Sequence, residues 1–128
     1  MTEEQKDLKD LLIRDLCARL PYGVKVRYSS YEKFITCTLH AINPVYHIVN
    51  LWSKNGCFNP VDISKIKPYL FPLSSMTEEQ LLKLSSISFE NSIDSSIKTL
   101  NWCYKNHLDI NNLIPIGLAI DATGLNIY

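Results

Sequence analysis

The chain reads as an α+β domain with one long N-terminal helix, an antiparallel meander of three to four strands, and C-terminal helices. Three observations predict this. The sequence Met-Thr-Glu-Glu-Gln occurs at Met1–Gln5 and again at Met76–Gln80, each time ahead of a leucine-rich segment. The sequence between the copies is of β type and broken by short turn signals. Beyond the second copy, apolar residues return at helical spacing. At 128 residues the chain fits a single domain over 1–128, long enough to bury a core without metal or disulfide staples.

Each copy of the repeat is a helix start. A threonine three residues ahead of a glutamine has capping-box spacing, and the two glutamates between them suit the positive end of a helix dipole. The first helix is expected from about Glu3 to Leu20. Leu8, Leu11, Leu12, Leu16 and Leu20 recur at helical spacing, with Ile13 and Cys17 widening the stripe. Lys6, Lys9, Asp10 and Arg14 are left to solvent, and Pro21 and Gly23 end the helix.

Strands are expected at Val24–Ser30, Phe34–Ile42 and Val45–Trp52, and a fourth strand or extended segment over Cys57–Ile66. Asn43-Pro44 and Lys54-Asn55-Gly56 supply the turns. These connections are too short for crossover helices, so neighbouring strands run antiparallel, with one face packed on the first helix. Lys67-Pro68-Tyr69-Leu70-Phe71-Pro72-Leu73 reads as a stiff apolar connector in which two prolines forbid regular structure.

A short helix is expected over Glu78–Leu84, broken at Ser85-Ser86-Ile87-Ser88, and a longer one over Asn91–Asn106. Phe89, Ile93, Ile97, Leu100, Tyr104 and Leu108 form one stripe, with Trp102 opposite, near Asn91, Ser95 and Lys98. Trp102 is either exposed for a partner or covered by the C-terminal tail. The tail carries one helical turn ending at Gly117, with Asp109 or Asn111 as its cap. Its final residues are apolar enough that it must dock on the domain or on a second copy.

Composition narrows the functions. Thirteen basic residues balance thirteen acidic ones, which argues against a binder of duplex nucleic acid and lowers the repulsion between copies. The first twenty residues are charged and amphipathic, unlike a signal peptide, and no apolar run reaches membrane-spanning length. A cytoplasmic protein without membrane partners is expected. The four cysteines, Cys17, Cys37, Cys57 and Cys103, lie far apart and suit a reducing compartment as small apolar residues.

No constellation signals catalysis, and no metal or other cofactor is expected. Cys103 and His107 share a helix face but have no third ligand nearby. Cys37 and His40 point to opposite faces of a strand unless a bulge intervenes, and His40 and His47 face each other across a turn without a positioned carboxylate. There is no Gly-x-Ser-x-Gly elbow and no phosphate-cradling glycine loop. Lys25, Arg27, Tyr28, Tyr31 and Trp52 interleave cations with aromatics, a pattern suited to a nucleotide and equally to a partly exposed sheet.

The segments Leu16-Cys17-Ala18-Arg19-Leu20-Pro21-Tyr22-Gly23-Val24, Lys67 to Glu79, and Asn106-His107-Leu108-Asp109 with Leu113-Ile114 and Gly117-Leu118-Ala119 resemble a family of short uncharacterised proteins. That family is common in phages, prophages and mobile elements of anaerobic gut bacteria. The resemblance attaches no activity and implies a context: a bacterial host cell and accessory work by binding. The leading expectation is a non-enzymatic protein that engages, and antagonises, a host (defence) protein through Trp102, Leu125, Ile127 and Tyr128, with self-association as a further use of that surface. The alternative is a nucleotide-binding, sponge-like protein using Lys25, Arg27, Tyr28, Tyr31 and Trp52.

Overall fold

A computed structural model describes residues 2–89 and 92–128. The first helix, α1, covers Glu3–Arg19 and the second, α2, covers Glu78–Ser88; each starts with a complete capping box. Thr2 Oγ1 accepts from the Gln5 N–H at 3.2 Å while Gln5 Oε1 accepts from the Thr2 N–H at 3.0 Å. Thr77 and Gln80 repeat the exchange at 3.2 and 2.9 Å. A 3-10 turn at Leu20–Tyr22 and a left-handed Gly23 redirect the chain into the sheet.

The strands are β1 (Lys25–Ser30), β2 (Lys33–Asn43), β3 (Ile48–Ser53), β4 (Gly56–Asp62), β5 (Ile66–Leu70) and β6 (Ile120–Asp121), in the order β4-β3-β2-β1-β5-β6. The first four form the antiparallel meander, joined by two-residue turns at Tyr31-Glu32 and Lys54-Asn55 and a longer one at 44–47. The expected strand start at Val45 is corrected to Ile48. Asn43 Oδ1 accepts from the Val45 and Tyr46 N–H groups, and His47 has a positive φ, so the turn extends three residues further.

The proline connector is also corrected. Ile66–Leu70 is a strand, antiparallel to β1 and parallel to β6. Pro68 pairs with Val26 on the β1 side, and the β5–β6 pairing begins only at Tyr69. Its missing N–H therefore falls where β5 has a neighbour on one side alone, a position a strand proline tolerates.

The sheet is strongly curled. In a flat sheet, β4 and β5 would lie about 19 Å apart, four strand spacings. The four steps from Asp62 to Ile66, through the 3-10 turn Ile63–Lys65, reach at most about 14 Å. Register shifts between Leu39 and Ala41 on β2, and opposite Asn50 on β4, supply the bending. The concave side buries Val24, Val26, Cys37, Leu39, Val49, Leu51, Val61 and Ile66 against Leu12, Ile13 and Leu16 of α1, with Leu113 and Ala119 from the tail. Cys17, expected on the buried stripe, is exposed.

That helix also buries a charge pair. Arg19 and Asp15 are 0 and 1 % exposed, and Arg19 Nε donates to Asp15 Oδ1 at 2.6 Å. One terminal guanidinium nitrogen bonds both Asp15 Oδ2 and the Leu108 carbonyl, at 3.0 and 2.7 Å. Asn111 donates to Asp15 Oδ2 at 2.8 Å, and the guanidinium lies 5.0 Å from the centre of the Tyr104 ring.

The third helix, α3, covers Ile93–Lys105, with Ser92 as its N-cap; the expected start at Asn91 falls outside the described residues. α2 continues through the serines expected to break it. Ser88 Oγ donates back to the Leu84 carbonyl, and Ser95 Oγ of α3 donates to the Ile87 carbonyl. Interior serine costs a helix under about 0.7 kcal/mol per residue, which packing on α3 offsets. In the tail Asp109 accepts from the Leu113 and Ile114 N–H groups, so it caps as expected; hydrogen-bonded turns replace the helical turn.

Asp15→Ala leaves the Arg19 charge buried with its counter-ion gone. It is expected to lower the unfolding free energy by roughly 3–5 kcal/mol, while the apolar double variant Asp15→Leu, Arg19→Met recovers most of the loss. Urea titration measures both, and equal losses in the two would contradict this account of the pair.

Candidate functional site

The largest departure from the sequence expectation lies on the α2–α3 hairpin. Phe89 is 88 % exposed, Ile93 82 %, Ile97 52 % and Leu100 48 %, although they form the stripe expected to face the core. The stripe is divided. Its C-terminal members are inward: Leu108 is buried and Tyr104 half-buried over Arg19. The inward side of α3 higher up is made of Ser95, Thr99, Trp102 and Cys103. Ser95 and Cys103 are small and let α3 approach its neighbours closely, so the bulky residues turn outward. α2 has no buried residue, and its Leu81 and Leu82 are also exposed.

Lone exposed apolar side chains are ordinary, whereas a contiguous patch of several hundred Å² marks a contact surface. Ile93, Ile97 and Leu100 make an exposed apolar stripe along α3, and Leu81, Leu82 and Phe89 add further exposed apolar side chains on the same hairpin. Charge nearby is self-neutralised, since Lys98 pairs with Asp94 at 3.2 Å. The patch was hidden in the sequence because an amphipathic stripe does not reveal whether it faces a core or a partner.

The five residues read as a nucleotide site are divided between faces. Lys25 pairs with Thr38, and Thr38 with Trp52, so these three share the convex outer face, as do Arg27 and Thr36. Tyr28 is on the opposite side, edge-on to Phe58 at 5.1 Å. Tyr31 sits at the tip of the β1–β2 turn, fully exposed. The outer face holds a depression of about 840 Å³ lined by residues that include Lys25, Thr36, Thr38, Trp52 and Lys54, with Asn126 and Ile127 at its edge. The Trp52 ring stacks on His40 at 3.8 Å, and the Arg27 guanidinium covers the Phe34 ring at 4.2 Å.

The four residues expected to bind protein also separate. Trp102 is half-buried on the inward side of α3. The tail docks on the domain, with Tyr128 as its anchor. The outer edge of the Tyr128 ring is open, but its hydroxyl is enclosed. It accepts from the Lys25 N–H at 2.9 Å and donates to the Tyr69 carbonyl at 2.8 Å. Burial pushes the phenol up to about 12. Lys25 Nζ donates to the Ile127 carbonyl at 3.0 Å, and Leu125 is half-exposed. His107 stacks flat on the Tyr128 ring at 3.8 Å.

The cysteine and histidine pairs stay apart in function. His40 occupies the β2 bulge, yet it still faces outward while Cys37 is buried in the core. His47 lies 3.9 Å from Asp10. Burial raises the thiol pKa of Cys37 and Cys103, which keeps them protonated and poorly nucleophilic. Among the described residues no group of three or more His, Cys, Asp or Glu is placed to hold a metal ion. No helix among them is long and apolar enough to cross a membrane.

No protein-family model matches the chain, and comparisons with curated proteins and with solved structures return no match.

His107 carries a pH dependence. Burial, then Arg19 and Lys25, lower its pKa from 6.5 to about 4, and its Nδ1 is buried without a hydrogen-bond partner. Between those two values the unfolded chain binds the proton and the folded chain does not. Stability is therefore full above pH 6.5 and is lost as pH falls toward 4. The ring is half-exposed, so the loss is discounted to about 1 kcal/mol. His107→Phe keeps the stack on Tyr128 and removes the proton site. Thermal melts across this range are expected to show a shallower decline in the variant, and parallel declines would rule out this origin.

Proposed function

We propose that this chain is a binding protein that works by protein–protein contact through the outward face of the α2–α3 hairpin. One observation carries the reading: an amphipathic helix anchored at its C-terminal end turns the rest of its apolar stripe to solvent, beside a second helix with no buried residue. Resemblance to short phage and mobile-element proteins supports a setting inside a bacterial host, where a host protein is one class of partner and a further copy of the chain is another. A blocking role against a host defence protein fits that setting.

A second reading has its own observation. The depression on the outer sheet face combines an exposed indole, held flat by His40, with Lys25 and Lys54. A stacking platform beside cations suits a nucleotide. Thermal melts with a panel of nucleotides test it. A rise of several degrees that is lost in Trp52→Ala supports this reading, and no shift with any nucleotide removes it.

For the protein-contact reading, Leu82→Asp and Ile97→Asp change exposed positions, so their stability cost is expected to stay within about 0.5 kcal/mol. Recovery of bound protein on the immobilised chain is expected to drop at least about tenfold in both, as for central contact residues. Tyr31→Ser, equally exposed on the far hairpin, is expected to leave recovery unchanged. Equal recovery by all three variants would place the contact elsewhere.

A further inference from the structure

The outer face of the sheet carries two exposed rings, each stacked against a neighbouring side chain. Ser29 pairs with Phe34, Arg27 with Thr36 and Lys67, Lys25 with Thr38, and Thr38 with Trp52, so these side chains share that face. Trp52 is 53 % exposed and lies flat on His40, while Phe34 is 69 % exposed under the Arg27 guanidinium. Phe34 and Thr38 are four residues apart on β2, so the two rings are rooted about 13 Å apart along the sheet. Trp52 also leans toward His40, away from Phe34. No single base spans that gap. Thr36 and Thr38 floor it, with Lys25 and Lys54 beside them. The zero net charge conceals a segregation. From Val24 to Lys67 the cations Lys25, Arg27, Lys33, Lys54, Lys65 and Lys67 meet only Glu32 and Asp62 as carboxylates. Glu32 is in the β1–β2 turn, and Asp62, at the end of β4, accepts from the Ser64 N–H at 2.9 Å. Among the described residues neither Arg27 nor Lys67 makes an ion pair, and Arg27 Nε has no hydrogen-bond partner.

We propose that this face binds single-stranded nucleic acid, laid across β2 from Phe34 to Trp52, with one base on each ring and phosphates beside Arg27 and Lys54. The inference rests on the Trp52 platform of the nucleotide reading above and puts a strand in place of the free nucleotide. Two spaced rings decide for the strand. A free nucleotide needs one stacking ring, whereas the bases of a strand use several rings along a cationic track. The local excess of cations supplies that track despite the balanced total, because charges further off than about 8 Å are screened at physiological salt. A duplex keeps its base faces stacked inside, so the rings give it nothing to hold.

Fluorescence anisotropy with labelled oligothymidylate and oligouridylate of about twelve nucleotides tests the strand. The oligomers are expected to bind at least about tenfold tighter than thymidine monophosphate, with affinity falling as salt rises. Tighter binding of one oligomer assigns the strand to DNA or to RNA. Trp52→Ala and Phe34→Ala are each expected to weaken the oligomers about tenfold, whereas only Trp52→Ala removes a melt shift caused by a mononucleotide. If either variant loses its fold, Trp52→Leu or Phe34→Leu keeps the bulk and removes the ring. Oligomer binding that survives both substitutions, or that the oligothymidylate–oligoadenylate duplex matches, overturns the proposal. If mononucleotides act through Trp52 and the oligomers bind no tighter, the nucleotide reading stands without the strand. If neither binds, both fall.

Discussion

The structure turns on the buried Arg19–Asp15 pair, which ties α1 to the end of α3. Neither charge reaches water, so each must find all its compensation inside the protein, where a lone charge costs several kcal/mol. Asp15 receives Arg19 and Asn111, while Arg19 also reaches the Leu108 carbonyl and lies against the Tyr104 ring. One helix on the N-terminal side is thereby bound to the end of α3 and to the loop beyond it. The contact spans 89 residues of sequence. It depends on bonds with directions, so it holds one arrangement where apolar packing alone would accept several.

That clamp holds only the C-terminal end of α3. His107 and Asp109 continue the fixation: the His107 carbonyl accepts from the Phe71 N–H and the Asp109 N–H donates to the Phe71 carbonyl, both at 2.8 Å. Tyr128 closes the same corner by stacking on His107 and bonding to Lys25 and Tyr69. The corner where the two halves meet is thus rich in directed bonds. The outer part of the hairpin has few, with Ser95 to the Ile87 carbonyl the one side-chain link between α2 and α3 among the described residues. Rigidity at one end and an apolar surface at the other is a sensible division for a binding element.

Much of the fold was legible because its signals are local. Both capping boxes depend on residues three apart, and the meander on strands joined by short turns. β5 was not legible, because the sequence around Pro68 reads as an interruption. Its tolerance there depends on where the last strand, from the far end of the chain, begins to pair. The Arg19 pair escaped for a related reason. At (i, i+4) spacing on a helix, Asp15 and Arg19 look like a surface pair, and their burial follows from Asn111 and Leu108 arriving from a distant part of the chain. The candidate sites suffered most. Lys25, Arg27, Tyr28 and Tyr31 are neighbours in sequence, yet strand alternation and a turn send them in three directions.

The outward stripe on α3 is where local and global rules conflict. Sequence periodicity sets Phe89, Ile93, Ile97 and Leu100 on one apolar stripe that calls for cover, and the single-chain fold leaves them out. The usual rescue would be a helix rotation of about 100° per residue step, which would turn the stripe inward. The bonds at the far end forbid it. Turning α3 would withdraw Ser95 from the Ile87 carbonyl, Tyr104 from the Arg19 guanidinium and Cys103 from the interior, and would put small polar residues in contact with water in exchange for the stripe. The conflict is therefore built into the chain, and the proposed protein contact would resolve it by burying the stripe. A fold that keeps an exposed stripe at this cost, on its most amphipathic element, has the character of half an interface.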